Sequence, residues 1–313
     1  MTFFLCYNTY MKYTVIDNYA YIEIDSVSYT TIQEFMDALI PSKKYQHLLI
    51  QNKWILIDEK SVQRNTKIEG NILKIILYPE SYNYTIKSDC DIEILYEDEL
   101  FVIVNKPAGL LVHSDGNQKI TMADHLESYF AKKKKLGSVH PIHRLDEDTQ
   151  GVLVFSKSVI FQSLLDKLLS EKKISRKYLA FVSGKMDVGK TVSINASIGK
   201  DRHNAKKQRI SKDGKEARTK VKCLYSQKDY SIVRCTLDTG RTHQIRVHMA
   251  HIGHPLLNDK LYGVKSRRCT SMGLVADKIR IYHPLKEIFI EVSGKISEDL
   301  YALMKYKVRE EQL

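Results

Sequence analysis

The stretch that decides the fold is HRLDEDTQGVLVFSKS, residues 143–158. Residues 152–155 form a short apolar run after a polar loop, which predicts a buried strand. Asp146 lies at the start of that loop. Loops held by a rigid scaffold often carry catalytic groups, but an aspartate at such a position also commonly satisfies backbone amides in a turn. The stretch therefore predicts a strand and one candidate reacting carboxylate, and other segments have to decide between the two roles.

On both sides of this stretch, the spacing of apolar residues predicts alternating strands and helices. Ser158 is a plausible N-cap for the helix that follows it, and Gly253 with Pro255 ends a later helix. Arg241 lies where a strand turns into that later helix. Strands are predicted at residues 92–96, 100–104, 152–155, 177–182 and 230–237, and helices at 161–169 and 245–252.

The N-terminal part has its own pattern. Apolar residues at helical spacing predict a helix that Pro41 stops, and short strands follow up to residue 77. Residues 79–90 are polar and contain proline, serine and asparagine, which is typical of a linker. The sequence thus predicts a small module, residues 1–86, ahead of a larger unit, residues 87–313.

Composition limits the class of protein. The chain has 313 residues, 43% of them hydrophobic and 27% charged, which is enough for a real core. No apolar run is long enough to span a membrane, and the first residues lack the basic start of a signal peptide. Five widely spaced cysteines without a CxxC pair predict neither disulfides nor a zinc site. We therefore expect a cytoplasmic protein without metal, and its charge distribution is the next clue to its binding partner.

The formal net charge is +12, and the basic residues are clustered. One run is Lys132–Lys135, and another lies within residues 199–222. Such clusters are either solvated faces or contacts to phosphate, which supply affinity without reading sequence. Their position beside a catalytic-looking loop favours nucleic acid as the partner.

Five segments together resemble the RluA family of pseudouridine synthases, over about residues 91–290. They occur in the family's order and roughly its spacing. The combination of the HRLD motif with GRTHQIRVH is highly specific. The segments are YEDELFVIVNKPAGLLVH (96–113), HRLDEDTQGVLVFSKS (143–158), RKYLAFVSG (176–184), DGKEARTKV (213–221) and TGRTHQIRVHMAHIGHPLLNDKLYG (239–263).

The resemblance implies an α+β fold: a mixed, mostly antiparallel sheet with flanking helices and a central RNA-binding cleft. It also implies the isomerisation of uridine to pseudouridine in structured RNA, with no cofactor and no metal. Ribosomal RNA is the expected target, with transfer RNA or a non-catalytic RNA-binding protein of the same fold as alternatives. A monomer is expected. The N-terminal module is similar to a small ribosomal-protein-type RNA-binding domain, in a degenerate form.

The resemblance also implies roles for single residues. Asp146 is the reacting carboxylate, either attacking the sugar or acting there as a base. Arg241 corresponds to the arginine that pairs with it, since a guanidinium stays charged and can grip a carboxylate with two bonds. Tyr178 stacks on the uracil and assists proton removal at carbon 5, and Ile245 packs on the other side of the base. Arg144 enters the space that the extruded nucleotide leaves.

The remaining site residues have weaker assignments. By residue type, His143, His243 and His248 are candidate metal ligands. The resemblance instead implies that they are structural or contact RNA. Lys106 and Lys215 are expected to be framework or phosphate contacts. Two departures from the family pattern stand out: Asn258 replaces a glycine before Asp259, and the turn IDEK (57–60) in the N-terminal module lacks its usual glycine. That loss is costly if the turn needs a positive φ.

Overall fold

The computed structural model describes residues 11–79, 84–89, 91–114, 116, 119–134 and 137–304. The predicted linker, residues 79–90, falls partly outside this set, and Lys135 of the basic run lies outside it. Helices lie at α1 (Ile32–Leu39), α2 (Lys43–Gln51), α3 (Met122–Lys133), α4 (Val159–Ser170), α5 (Gln244–His251) and α6 (Glu298–Met304).

The first described residues build a small antiparallel sheet of five strands in the order β1-β2-β5-β3-β4, accompanied by α1 and α2. Its strands are β1 (Tyr13–Ile16), β2 (Tyr19–Glu23), β3 (Ile55–Ile57), β4 (Lys60–Ser61) and β5 (Ile72–Ile76). The predicted helix before Pro41 is confirmed as α1, which Thr31 caps by accepting from the Glu34 amide. The short apolar stretch after Pro41 forms α2.

The turn between β3 and β4 has the positive φ values that a glycine adopts easily, although no glycine is present in it. Asp58 and Glu59 have φ values of 46° and 60°, in the left-handed region. The Asp58 carboxylate accepts from the amides of Asn71 and Ile72, the latter at 2.9 Å. These bonds offset part of the backbone strain in the turn.

The rest of the chain builds a mixed sheet of ten strands, with the path β11-β14-β15-β10-β16-β9-β7-β6; β17 pairs with β16 and β8 with β9. Every pairing is antiparallel except that of β9 with β16, so the expected mixed, mostly antiparallel sheet is confirmed. The strands are β6 (Glu93–Glu97), β7 (Phe101–Lys106), β8 (His140–Pro141), β9 (Gln150–Ser156), β10 (Ile174–Ser183), β11 (Thr191–Asn195), β14 (Arg218–Ser226), β15 (Tyr230–Leu237), β16 (Leu274–His283) and β17 (Ile288–Ser293). A separate two-stranded ribbon consists of β12 (Ile198–Lys200) and β13 (Gln208–Ile210).

The parallel pairing of β9 with β16 explains the glycine in the opening motif. Gly151 has a φ of 115° and pairs with Ala276. A Cβ on Gly151 would lie 2.1 Å from the Ala276 carbonyl oxygen, so only glycine permits this approach. The loop that carries Asp146 is thus anchored at its end by backbone packing in the middle of the large sheet.

The small and large sheets share one apolar core. Residues of β2, β5 and α1 belong to the same buried cluster as residues of β7, β9 and α4. The Tyr78 hydroxyl donates to the Glu99 carbonyl at 2.8 Å. Ser158 precedes α4 as predicted, but its hydroxyl donates to the Leu77 carbonyl and does not cap the helix. The two sheets are therefore packed against each other.

Candidate active site

Asp146 lies in a tight loop that a buried lysine holds together. The Asp146 carbonyl accepts from the Thr149 amide at 3.0 Å, and the Asp146 side chain is 23% exposed. Lys106, at the end of β7, is fully buried. Its ammonium donates to the carbonyls of Pro107, Leu110 and Glu147 at 2.8, 2.7 and 2.9 Å.

These three bonds use all three donors of the Lys106 ammonium. They tie the loop after β7 to the loop of Asp146. Burial lowers the pKa of Lys106 to about 8, against the opposing effect of the nearby carboxylate of Asp146. The framework role expected of Lys106 fits this geometry, whereas a phosphate contact does not, since the side chain is fully buried.

The arginine that pairs with Asp146 is Arg246, and the predicted pairing with Arg241 is wrong. Arg246 Nη1 donates to Asp146 Oδ2 at 3.0 Å, and its side chain is only 6% exposed. Arg241 precedes the first residue of α5 and is exposed. Its Nε donates to the Glu216 carbonyl at 2.9 Å. The physical reason is position: Arg246 lies on the buried first turns of the helix, whereas Arg241 lies in the turn before it.

A second carboxylate holds the other side of Arg246. Nε and Nη2 of Arg246 both donate to Asp259, each at 2.7 Å, in a bidentate pair. Burial would raise the pKa of Asp259, but Arg246 and the amides of Leu261 and Tyr262 lower it. Arg246 is thus clamped by Asp259 and presents its remaining nitrogen to Asp146.

The turn that carries Asp259 accounts for the asparagine in place of the family glycine. Asn258 has a φ of 55°, a conformation in which asparagine is the best tolerated residue after glycine. Its side chain donates to the Cys269 carbonyl at 2.7 Å and accepts from the Ser266 amide at 2.8 Å. The substitution therefore keeps the backbone geometry and adds two bonds to the turn.

The two residues expected to flank the uracil are Tyr178 and Ile245. Both side chains are nearly buried, at 5% and 4% exposure, and belong to one apolar cluster with Leu145. Burial raises the pKa of Tyr178; Arg176 opposes the rise and Asp146 adds to it. The tyrosine is therefore a neutral phenol at neutral pH, so a base role at carbon 5 would require another group to take up its proton. Arg176, on the same strand, was missed by the sequence interpretation.

The other predicted contact residues separate into buried and exposed ones. His143 is 6% exposed, and burial, with Arg176 nearby, lowers its pKa to about 3. A neutral buried imidazole does not reach a phosphate, so this geometry favours the structural alternative over the expected RNA contact. Arg144 and Lys215 are exposed, as RNA contacts must be.

His243 and Tyr262 complete the surroundings of Asp146. His243 Nδ1 lies 2.9 Å from the Tyr262 hydroxyl, and its Nε2 lies 3.9 Å from Asp146 Oδ2. The Arg246 guanidinium carbon lies 5.3 Å from the centre of the Tyr262 ring, within cation–π distance. Burial lowers the pKa of His243, although Asp146 opposes the effect.

Comparison with known proteins identifies this arrangement. Residues 100–251 match the model of a family described as RNA pseudouridylate synthase. An uncharacterised RNA pseudouridine synthase of Bacillus subtilis, YhcT, is 34% identical over 272 residues, covering 86% of this chain and 90% of its own length. The chain belongs to the RluA family of RNA pseudouridine synthases. It is an isomerase that converts uridine in RNA to pseudouridine.

Further similarities support the same assignment. The ribosomal large subunit pseudouridine synthase D of Xylella fastidiosa is 34% identical over 253 residues, or 75% of each chain. The solved structure of human RNA pseudouridylate synthase domain containing 1 covers 72% of this chain and 98% of its own, with a TM-score of 0.53 and 24% identity. That structure shows the shared fold.

None of the helices in the described part of the chain has the length and apolar character that a membrane span requires.

Sequence interpretation of this synthase missed Arg246, Asp259 and Tyr262 as parts of the site, and it gave His243 no role toward Asp146. One signal was available in the sequence, because Arg246 lies between two apolar residues of a helix, Ile245 and Val247. A charged residue inside an apolar helical face needs a buried partner. The partner, Asp259, lies thirteen residues further on, in a turn whose geometry the sequence pattern does not reveal.

Proposed function

We propose that this synthase modifies a uridine of large-subunit ribosomal RNA, with Asp146 as the carboxylate that acts on the sugar. The supporting observation is the Asp146–Arg246–Asp259 arrangement: the reacting carboxylate is fixed by a guanidinium that a second carboxylate fixes in turn. Several relatives, including those of Xylella fastidiosa and Neisseria meningitidis, are named ribosomal large subunit pseudouridine synthase D. The RNA in these relatives' names is the reason to prefer large-subunit ribosomal RNA to transfer RNA.

The reaction breaks the bond from ring nitrogen 1 to the sugar and joins carbon 5 to the same sugar carbon. Carbon 5 loses its hydrogen, and nitrogen 1 gains one, so no oxidant or reductant is needed. We assign the stacking of the uracil to Tyr178 and the opposite wall to Ile245, since both side chains belong to the apolar cluster that contains Leu145, the neighbour of Asp146 in the chain. Tyr178 exposes only a small area before RNA binds, so the base has to displace neighbouring side chains to stack.

RNA contacts are assigned to the exposed basic residues. Arg144, two residues before Asp146, is placed to fill the gap left by the extruded nucleotide, because unstacking costs a few kcal/mol that an inserted side chain can offset. Lys215 contributes to phosphate binding. The whole positive surplus lies in the large unit: residues 11–79 contain eight lysines and arginines and eight aspartates and glutamates, and so have no net charge.

For the N-terminal module, residues 1–86, we therefore propose a structural role. It is electrically neutral over its described part, and it shares an apolar core with the large sheet. RNA affinity depends mainly on phosphate neutralisation, which a neutral module supplies weakly. We further propose that the enzyme acts in the cytoplasm as a monomer; its exposed large apolar side chains are scattered over the described surface.

The test maps pseudouridines in ribosomal and transfer RNA from three strains: with the gene, without it, and with Asp146→Asn, which keeps the size of the side chain. We expect one large-subunit site to disappear without the gene and with Asp146→Asn, and to return with the wild-type gene. A site that disappears only from transfer RNA would refute the target. Unchanged maps in all stable RNAs would refute catalysis itself.

A further inference from the structure

A basic arm lies beside the active site. It comprises residues 199–215, including the end of β12 and all of β13, and contains seven lysines and arginines but only two acidic residues. Most of its basic side chains are exposed. Such a surface fits the phosphates of an RNA backbone. Ile210 of the arm shares an apolar cluster with Val247 of α5, and Tyr262 makes a polar connection between the arm and the active site.

Tyr262 contacts the arm and the catalytic residues at once. Its hydroxyl accepts from the Gln208 amide of the arm at 2.6 Å. The Lys207 ammonium lies 5.8 Å from the centre of its ring, and the Arg246 guanidinium lies at 5.3 Å from the same centre. The hydroxyl also lies 2.9 Å from His243 Nδ1. Tyr262 therefore joins the arm to both residues that face Asp146.

The contacts of Tyr262 favour one position for the proton on His243. A backbone amide can only donate, so the Tyr262 oxygen accepts from Gln208 and keeps its own hydrogen to donate. Nδ1 of His243 lies within hydrogen-bond distance of that hydroxyl and can accept this hydrogen. A neutral imidazole that accepts at Nδ1 carries its hydrogen on Nε2. That Nε2–H faces Asp146 Oδ2 at 3.9 Å, longer than a hydrogen bond but within reach of tightening when substrate binds.

We propose that Tyr262 and His243 are positioning residues: the relay from Gln208 through Tyr262 holds the His243 Nε2–H toward Asp146, so that the arm which binds RNA also orients the reacting carboxylate. The proposal rests on the proposed function of Asp146. His243 has a φ of 57° at the start of α5, a conformation that is uncommon for a residue other than glycine or asparagine. Burial lowers the pKa of the imidazole, and the charges of Asp146, Arg246 and Asp259 act on it from around the ring.

The main test is Tyr262→Phe, which keeps the ring over Arg246 and removes only the hydroxyl. We expect the single-turnover rate of tritium release from RNA labelled at carbon 5 of uridine to fall about 10- to 50-fold. The dissociation constant of the same RNA should change less than about threefold, since no phosphate contact is lost. Tyr78→Phe is the matched control, because it also removes a buried hydroxyl bond, at 2.8 Å to the Glu99 carbonyl, away from the site. It should leave both values unchanged.

A second measurement does not depend on activity. Nitrogen-15 NMR of histidine-labelled protein should show His243 with its hydrogen on Nε2 in the wild type and a mixture of tautomers in Tyr262→Phe. If Tyr262→Phe does not fold, His243→Asn replaces it, since asparagine tolerates the left-handed backbone. The double variant, with Tyr262→Phe and His243→Asn together, should have a single-turnover rate no lower than that of His243→Asn alone, because both substitutions interrupt the same relay.

Three results would overturn the proposal: a wild-type rate in Tyr262→Phe, an unchanged tautomer in that variant, or additive losses in the double variant. A wild-type enzyme that releases no tritium from large-subunit RNA would instead refute the proposed target. In that case the NMR measurement still decides whether the relay exists.

Discussion

Replacing Arg246 with lysine tests whether geometry, and not charge alone, holds Asp146. Arg246 makes three bonds to carboxylates, at 2.7, 2.7 and 3.0 Å, with a side chain that is 6% exposed. A lysine ammonium is a point charge and cannot bind Asp259 with two parallel bonds while reaching Asp146. Hydrogen bonds to charged groups contribute about 1.5–3 kcal/mol each.

If the loss of two such bonds appears in catalysis as about 3 kcal/mol, the single-turnover rate should fall roughly 100-fold. Arg241→Lys is the matched control within the same motif. Arg241 is exposed and its side chain donates to the Glu216 carbonyl, and surface substitutions usually stay within about 0.5 kcal/mol. Its rate should therefore change no more than about threefold.

The assay is tritium release from large-subunit RNA under single-turnover conditions, at a temperature where thermal unfolding shows both variants to be folded. A near-normal rate in Arg246→Lys would show that the bidentate geometry is not required. A large loss confined to Arg241→Lys would show that the pairing in the structure is not the catalytic one.

Three further predictions concern stability. Lys106→Met should lower the free energy of unfolding by about 2–4 kcal/mol in urea titrations, because three buried carbonyls lose their donor; a loss below 1 kcal/mol would contradict this. Because the pKa of His143 is about 3 when folded and near 6.5 when unfolded, the unfolded state binds more protons between these values. Stability should thus fall as the pH drops through that window, by up to about 1.4 kcal/mol per pH unit, and His143→Gln should have a shallower pH dependence. Glu59→Gly should raise the melting temperature by a few degrees, because Glu59 has a φ of 60°; an unchanged or lower value would mean that its ion pair with Lys74 outweighs the strain.

Sequence patterns predicted the fold where local spacing carries the information. The strands that became β7, β9, β10 and β15 and the helices α1, α4 and α5 are all apolar runs with clear periodicity. The strands β1 and β2 were missed because apolar or aromatic side chains, Ile16 in β1 and Tyr19 and Tyr21 in β2, lie on the face opposite their more buried residues and hide the alternation. The sequence also indicates that the turn at residues 58–59 is strained without a glycine, and both residues have a positive φ. The preference for glycine in such a turn is a local property, so the sequence alone reveals it.

The active site was predicted only in part, because its contacts join distant parts of the chain. The bond from Arg246 to Asp146 spans 100 residues. In α5, residues 244–249 are all buried, so the helix has no polar face from which a pattern could choose. Gln244 and His248 are buried because Thr219 offers partners to both. The sequence of α5 alone therefore shows neither how completely the helix is buried nor which residues its polar side chains contact.

The arrangement of charges explains why one arginine is shared by two aspartates. Asp259 is completely buried as a side chain and gives Arg246 two bonds, while Asp146 is 23% exposed and receives one. If Arg246 were paired with Asp146 alone, the carboxylate and the guanidinium would neutralise each other and the bond would resist any movement of Asp146 toward the sugar. Because Asp259 already satisfies most of the positive charge, Asp146 is oriented without being fully neutralised. A reacting carboxylate needs this balance, since it must be held in place and still carry the electron density that acts on the substrate.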